Sequence, residues 1–267
     1  MFFCYVSAGD FMEISAKKSL GQNFLKDEGI LQKIADSVEF GSNNLILEIG
    51  PGKGALTKYL IQKNCQYVGY EIDERMRPIL SHYTDRIIFA DFLSRNINKD
   101  LKNFSYDKLY VIANIPYYIT TPIIEHLLSF DLKLSKMVLL VQKEVALRFS
   151  AKPHTKDYGY FTVYLNYYFQ VMKLFDVSRE CFDPIPNVES AVVLFEKKEN
   201  NPINTDAYFS FLKVCFASKR KTLKNNLKNY DWNKVLCVLQ KYGFSDNVRA
   251  EELPSQVFQD IFEYISA

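Results

Sequence analysis

Between residues 28 and 170 the chain alternates short apolar runs with segments of helical apolar spacing, and several of the apolar runs stop at a glycine or a polar side chain. Leu45 to Ile49 runs into glycines, Tyr67 to Tyr70 ends at Glu71, Ile87 to Ala90 at Asp91, and Leu109 to Ala113 at Asn114. A fifth run covers 136–141, and helical spacing fills 30–38, 55–63, 75–83 and 123–128. A strand–helix–strand rhythm of this kind folds as a doubly wound, mostly parallel sheet. Such sheets bind ligands beyond the carboxyl ends of their strands, where this chain keeps its polar residues.

The pattern changes after Lys198. Residues 199–206 are polar and read as a linker, and 206–267 carry helical spacing, as at Tyr208, Phe211, Leu212, Cys215 and Phe216. The expected organisation is a poorly ordered extension over 1–15, with Met12 as an alternative start, a Rossmann-like α/β domain over 16–198 and a small all-α domain over 199–267. With 39 Phe and Tyr residues, most of the aromatics must be core.

Glu48-Ile-Gly-Pro-Gly-Lys-Gly54 follows the first long strand and opens a helix. Its glycines permit a sharp turn and close backbone approach to a ligand. It is not a P-loop, and glycines at 50, 52 and 54 also depart from G-x-G-x-x-G. Lys53 within it reads as solvent-facing. Glu71 lies about 20 residues further on, where a carboxylate can accept from ribose hydroxyls. Asp91 ends the next strand, where it can accept from an adenine amine.

Asn114-Ile115-Pro116-Tyr117 ends the fourth strand. Asn offers an amide oxygen, Pro stiffens the turn and leaves a carbonyl to accept, and Tyr gives a face on which a base can stack. Any one of these features alone fits an ordinary strand-end turn or helix cap. In register, they read as an S-adenosylmethionine site with a clamp for a target amine.

These motifs resemble the rRNA adenine N6,N6-dimethyltransferases of the KsgA type, over nearly the whole length. KSLGQNFL at 18–25, the glycine loop, Asn-Ile-Pro-Tyr, QKEVA at 142–146, Tyr158-Gly159, FDPIPNVES at 182–190 and FASKRKTLKNNL at 216–227 occur in the family's order. The resemblance implies that Asn23, Leu25, Gly50, Gly52, Glu71, Ile72, Asp91, Phe92 and Asn114 contact S-adenosylmethionine. It implies that Asn114, Pro116 and Tyr117 engage the target adenine and that Phe182 stacks on its other side. The substrate it implies is two adjacent adenines near the 3′ end of 16S rRNA in the small ribosomal subunit, with a role in subunit biogenesis. Tyr118 stands where the family often has Asn.

Net charge is only +2, but residues 207–230 hold six basic residues and no acid. Among them Lys219, Arg220, Lys221, Lys224 and Lys228 are the candidate RNA contacts. The spacing of Arg220, Lys224 and Lys228 predicts one basic helix face. Lys17, Lys18 and Lys26 add charge near the expected cofactor mouth. Five dispersed cysteines without C-x-x-C fit a reducing cytoplasm, and three scattered histidines offer no metal site. No apolar run reaches the roughly 18 residues of a membrane span. A monomer is expected. Two other readings remain open: a resistance-type dimethylase acting on large-subunit rRNA, and a non-catalytic assembly or transcription factor. The intact Asn114 and glycine loop favour an enzyme.

Overall fold

Most strands of the parallel array carry a run too apolar to face water. In the computed structural model, which describes residues 14–17, 20–116, 119–199 and 203–266, these runs form the centre of one sheet. The strands are β1 (Phe24–Leu25), β2 (Asn44–Ile49), β3 (Gln66–Glu71), β4 (Ile87–Phe89), β5 (Lys108–Asn114), β6 (Leu134–Gln142), β7 (Phe169–Val177), β8 (Phe182–Asp183) and β9 (Ser190–Lys197). Seven of them form the sheet β4-β3-β2-β5-β6-β9-β7, in which β2 to β6 pair in parallel. The pair β1–β8 is separate and antiparallel, with Leu25 opposite Phe182. Leu45, Ile46, Leu47, Leu109, Val111 and Ile112 are fully buried, as strands covered on both faces require.

The chain leaves β2 for β3 on one side and later returns to β5 on the other. The topological switch point therefore lies between β2 and β5. Register makes the point useful: Ile49 is level with Tyr70 on one side and Ala113 on the other. The next residues, Gly50, Glu71 and Asn114, therefore emerge side by side.

The intervening helices are short. The segment expected helical over 55–63 is α-helical only at α2 (Thr57–Leu60), and 75–83 only at α3 (Arg77–Leu80), after a 3₁₀ turn at Glu74–Met76. The first helix, α1 (Glu28–Ala35), starts where Asp27 accepts from the Ile30 amide. Two further helices precede β6, α4 (Ile97–Leu101) and α5 (Thr120–Leu128).

Two compact units divide the chain: residues 1–142 with 175–192, and 143–174 with 193–267. The helical unit thus takes in α6 (Lys143–Phe149) and α7 (Tyr160–Tyr168) as well as α8 (Thr205–Cys215), α9 (Leu223–Asn226), α10 (Trp232–Lys241) and α11 (Ser255–Ser266). Its core gathers Tyr158, Val163, Tyr208, Phe211, Cys215, Leu223, Leu239, Phe258 and Ile261. Tyr158 is tied in further by its hydroxyl, which donates to the Leu253 carbonyl at 2.7 Å. Most of the extension over 1–15 and three residues of the expected linker, 200–202, lie outside the described residues.

The single basic helix face is corrected by the structure. α8 stops at Cys215, and Thr222 starts a separate four-residue turn of helix by accepting from the Asn225 amide. The Asn226 side chain spans the break, donating to the Cys215 and Ser218 carbonyls. Arg220 and Lys228 therefore sit in turns on either side of α9, and only Lys224 is helical. Polar Ser, Thr and Asn side chains, which compete for backbone hydrogen bonds, break the periodicity that charge spacing alone suggested.

Candidate functional site

A cleft opens beyond the carboxyl ends of β2, β3 and β5. Its described lining includes Asn23, Leu25, Gly50, Gly52, Glu71, Ile72, Asn114 and Pro116, and so gathers eight of the residues singled out from sequence. The glycine loop is shaped for close approach. Gly52 has φ +56°, and a Cβ there would meet the Phe24 ring at 3.1 Å; Gly54 has φ +76°, and its Cβ would meet the Tyr83 ring at 2.7 Å. Both have the left-handed backbone that favours glycine, and the space beside each is tight, more so at Gly54.

Glu71 is nearly fully buried at the end of β3. One carboxylate oxygen accepts from the Gly52 amide and the other from the Asp73 amide, each at 2.8 Å. Burial pushes its carboxyl up, against the pull of those two donors. Ile72 follows, 52% exposed and lining the cleft, an apolar surface beside an acceptor. A carboxylate for ribose hydroxyls, an exposed apolar side chain and a glycine-lined floor fit an adenosyl group.

Asp91 and Phe92 are not in the cleft lining. Asp91 is exposed and caps the 3₁₀ turn Phe92–Ser94, accepting from the Leu93 amide at 3.0 Å. Phe92 is buried, edge-on to Tyr70 at 5.1 Å.

Asn114 and Pro116 are half-buried at the end of β5. The Pro116 carbonyl, expected to be free, accepts from the Ile119 amide at 3.2 Å. That turn is what Pro116 stiffens. Ile115 also lines the cleft, and no described donor reaches its carbonyl, which makes it the backbone acceptor available beside Asn114. Tyr117, Tyr118 and Lys18 lie outside the described residues.

Phe182 is fully buried opposite Leu25 and has no free ring face for a base. Its visible task is to hold β1, and with it Asn23 to Leu25, against β8. The reading of Lys53 as solvent-facing is also corrected. Lys53 is half-buried in the cleft wall, with its ammonium 4.8 Å from the centre of the Phe24 ring.

Sequence reasoning gave no role to Glu48, the buried acid at the cleft floor. Its Oε2 accepts from the Thr57 hydroxyl at 2.7 Å and from the Tyr67 hydroxyl at 2.5 Å. Burial pushes its carboxyl up to about 7, opposed by those two donors. Nor did sequence single out Gln22, which donates to Asp73 at 3.0 Å, while Arg75 holds the Asp73 carboxyl down at about 2. Tertiary contact sets both: Glu48 meets Thr57 and Tyr67 beneath the glycine loop, and Gln22 reaches Asp73 beyond the end of β3.

In the helical unit, Arg220, Lys221, Lys224 and Lys228 are exposed. Lys219 is partly committed, donating to the Tyr158 carbonyl at 2.9 Å.

A family model described as ribosomal RNA adenine dimethylase matches residues 13–267. The chain is 41% identical over 252 residues to the ribosomal RNA small subunit methyltransferase A of Mycoplasmopsis pulmonis, covering 92% of this chain and 98% of that one. It is 39% identical over 253 residues to the protein of the same name from Streptococcus thermophilus, covering 89% and 87%. Among solved structures, a dimethyladenosine transferase from Plasmodium falciparum superposes with a TM-score of 0.74 at 28% identity, covering 90% of this chain and 96% of that one. The 23S rRNA methyltransferase ErmE gives 0.73 at 25% identity, covering 92% and 100%.

Glu48 yields a test independent of activity. A carboxyl raised in the folded state stabilises the protein most when protonated, so its contribution falls as pH rises from its ordinary 4.5 through about 7. Denaturant unfolding at pH 4.5, 6 and 8 should show Glu48→Gln gaining on wild type as pH rises, by up to about 3 kcal/mol at pH 8. A pH-independent difference would contradict the assignment.

Proposed function

The chain belongs to the ribosomal RNA adenine dimethylase family, and on that premise we propose that the β2/β3/β5 cleft binds S-adenosylmethionine and presents its methyl to adenine N6. The protein is an S-adenosylmethionine-dependent rRNA adenine dimethyltransferase of the small ribosomal subunit. The observation that carries the site reading is the level emergence of Gly50, Glu71 and Asn114 from three adjacent strands. The finer reading is that the targets are two adjacent adenines near the 3′ end of 16S rRNA, modified by a cytoplasmic monomer during subunit biogenesis. Relatives named for the small subunit, about 40% identical, support this over the large-subunit alternative, whose solved example is 25% identical.

S-adenosylmethionine, when bound, supplies a methyl on a sulfonium, a good leaving group. The difficulty lies with N6, whose lone pair is delocalised into the ring. In this reading the Asn114 amide oxygen and the Ile115 carbonyl accept its two N–H bonds. Held so, the amine turns its lone pair out of the ring plane and towards the methyl. Positioning of this kind lowers a barrier by roughly 7–11 kcal/mol. Each transfer forms N6–CH3 as the sulfonium–methyl bond breaks, and the N6 proton that becomes acidic leaves to water, since neither acceptor is a base. After the first, one N–H remains for Asn114 and the same geometry serves the second.

In this reading Glu71 and Ile72 hold the ribose and adenine side, Asp91 accepts from the adenine amine beside Phe92, and Asn23 and Leu25 close the cleft over the glycine loop. Tyr117 supplies a stacking face for the target base, which must leave any duplex to enter. Phe182 acts from behind, fixing Leu25, and serves as the second stacking face only if β8 shifts. Residues 199–267 serve the rRNA through Lys219, Arg220, Lys221, Lys224 and Lys228.

Labelled methyl transfer from S-adenosylmethionine to purified unmethylated small and large subunits tests this reading. Dimethyladenosine should appear on the small subunit alone, and Asn114→Ala should lower kcat by about 10²-fold or more, the loss of one catalytic hydrogen bond. Label on the large subunit would move the chain to the other enzyme reading. Tight subunit binding with no label on either would favour an assembly factor.

If the basic segment contacts phosphates, subunit affinity should fall steeply with salt. Arg220→Ala and Lys224→Ala should each flatten the log K against log salt plot by about one. Unchanged slopes would remove this segment from the interface.

A further inference from the structure

Three charged side chains line the described cleft: Glu48 and Glu71, both buried, and Lys53. If the cleft takes the cofactor as proposed, that imbalance sets a problem. The cofactor's amino-acid end carries an α-carboxylate as well as an α-ammonium. A carboxylate brought into a partly desolvated cleft beside two acidic side chains needs a cation, because repulsion strengthens as water is excluded.

Lys53 is the one cation among the described lining residues. Among the other described cations, Arg75 is committed to Asp73 at 2.6 Å and Lys58 to Glu28 at 2.7 Å, while Lys17 and Lys26 are exposed and outside the lining. Lys53, in contrast, has no carboxylate partner among the described residues. It is half-buried, and its ammonium lies over the Phe24 ring, 4.8 Å from the centroid. An aromatic face orients a cation but does not neutralise it.

The ring is itself fixed. Phe24 pairs with Asp183 in the β1–β8 ladder, and it packs so closely on Gly52 that a Cβ there would meet it at 3.1 Å. The ammonium is therefore held on a stiff support at the glycine-loop end of the cleft. The adenosyl side is marked by Glu71 and Ile72 at the end of β3, so the amino-acid end falls towards the loop and Phe24.

We infer that Lys53, steadied on the Phe24 ring, is the counter-cation for the α-carboxylate of the cofactor. The pairing rests on the cofactor reading given above and adds the residue that discriminates cofactors by their carboxylate. Lys53 acts by binding and touches no reacting atom.

Isothermal titration calorimetry tests it without turnover. Three ligands are compared: S-adenosylhomocysteine, its descarboxy analogue ending in an aminopropyl chain, and methylthioadenosine, which lacks the amino-acid end. Wild type should prefer S-adenosylhomocysteine over the descarboxy analogue by about tenfold or more, as for a partly buried ion pair. Lys53→Met should lose that preference while binding methylthioadenosine as wild type does, and Lys53→Arg should keep most of it. A Lys53→Met protein that discriminates like wild type overturns the inference. Should Lys53→Met also weaken methylthioadenosine, the charge-keeping Lys53→Arg decides, and loss of discrimination there overturns it as well. Failure of wild type to bind any of the three would instead reject the cofactor reading itself.

Discussion

The site depends on the register of β2 between β3 and β5. Backbone hydrogen bonds set Ile49 level with Tyr70 and Ala113. A slip of one residue in either pairing would turn every side chain of the shifted strand to the opposite face of the sheet. The fully buried apolar runs on these strands make such a slip costly, so the core fixes where the functional residues emerge. Gly50 then lies in contact with Asn114, where a Cβ would sit 3.4 Å from its carbonyl. The glycine loop and the end of β5 thus lie against one another.

Around that register the cleft is braced by buried polar bonds. Glu71 clasps the amides of Gly52 and Asp73, and Glu48 holds Thr57 and Tyr67 beneath the loop. Gln22 and Arg75 converge on Asp73 and tie the 20–25 segment to the end of β3. The ladder of β1 with β8 completes the support, with Phe182 sealed against Leu25. A cleft whose walls are already hydrogen-bonded loses little conformational freedom when a ligand arrives.

Much of this was legible in the sequence because parallel strands buried on both faces are uninterrupted apolar runs, and their ends are marked by Gly50, Glu71 and Asn114. The bounds of β2, β3 and β5 fall within a residue or two of those runs. What the sequence hid was set by tertiary contact. Lys53 looked like a surface residue until Phe24 arrived from another segment to lie beneath it. The Pro116 carbonyl looked free until the turn brought Ile119 to it. The cations at 220, 224 and 228 looked like one helix face because spacing does not report that Thr222 starts a new turn and Asn226 caps the break. The helices α6 and α7 belong with the helical unit although they precede the polar 199–206 segment, a grouping that sequence order does not report.

The most direct test of the central claim is calorimetric titration of S-adenosylhomocysteine into wild type and Glu71→Ala. A site assembled by strand register predicts one ligand per chain for wild type. It also predicts a loss of about tenfold or more for Glu71→Ala, which removes the acceptor proposed for the ribose hydroxyls. Equal affinity in the two proteins would contradict it, because the ligand would then lie elsewhere than across the ends of β2, β3 and β5.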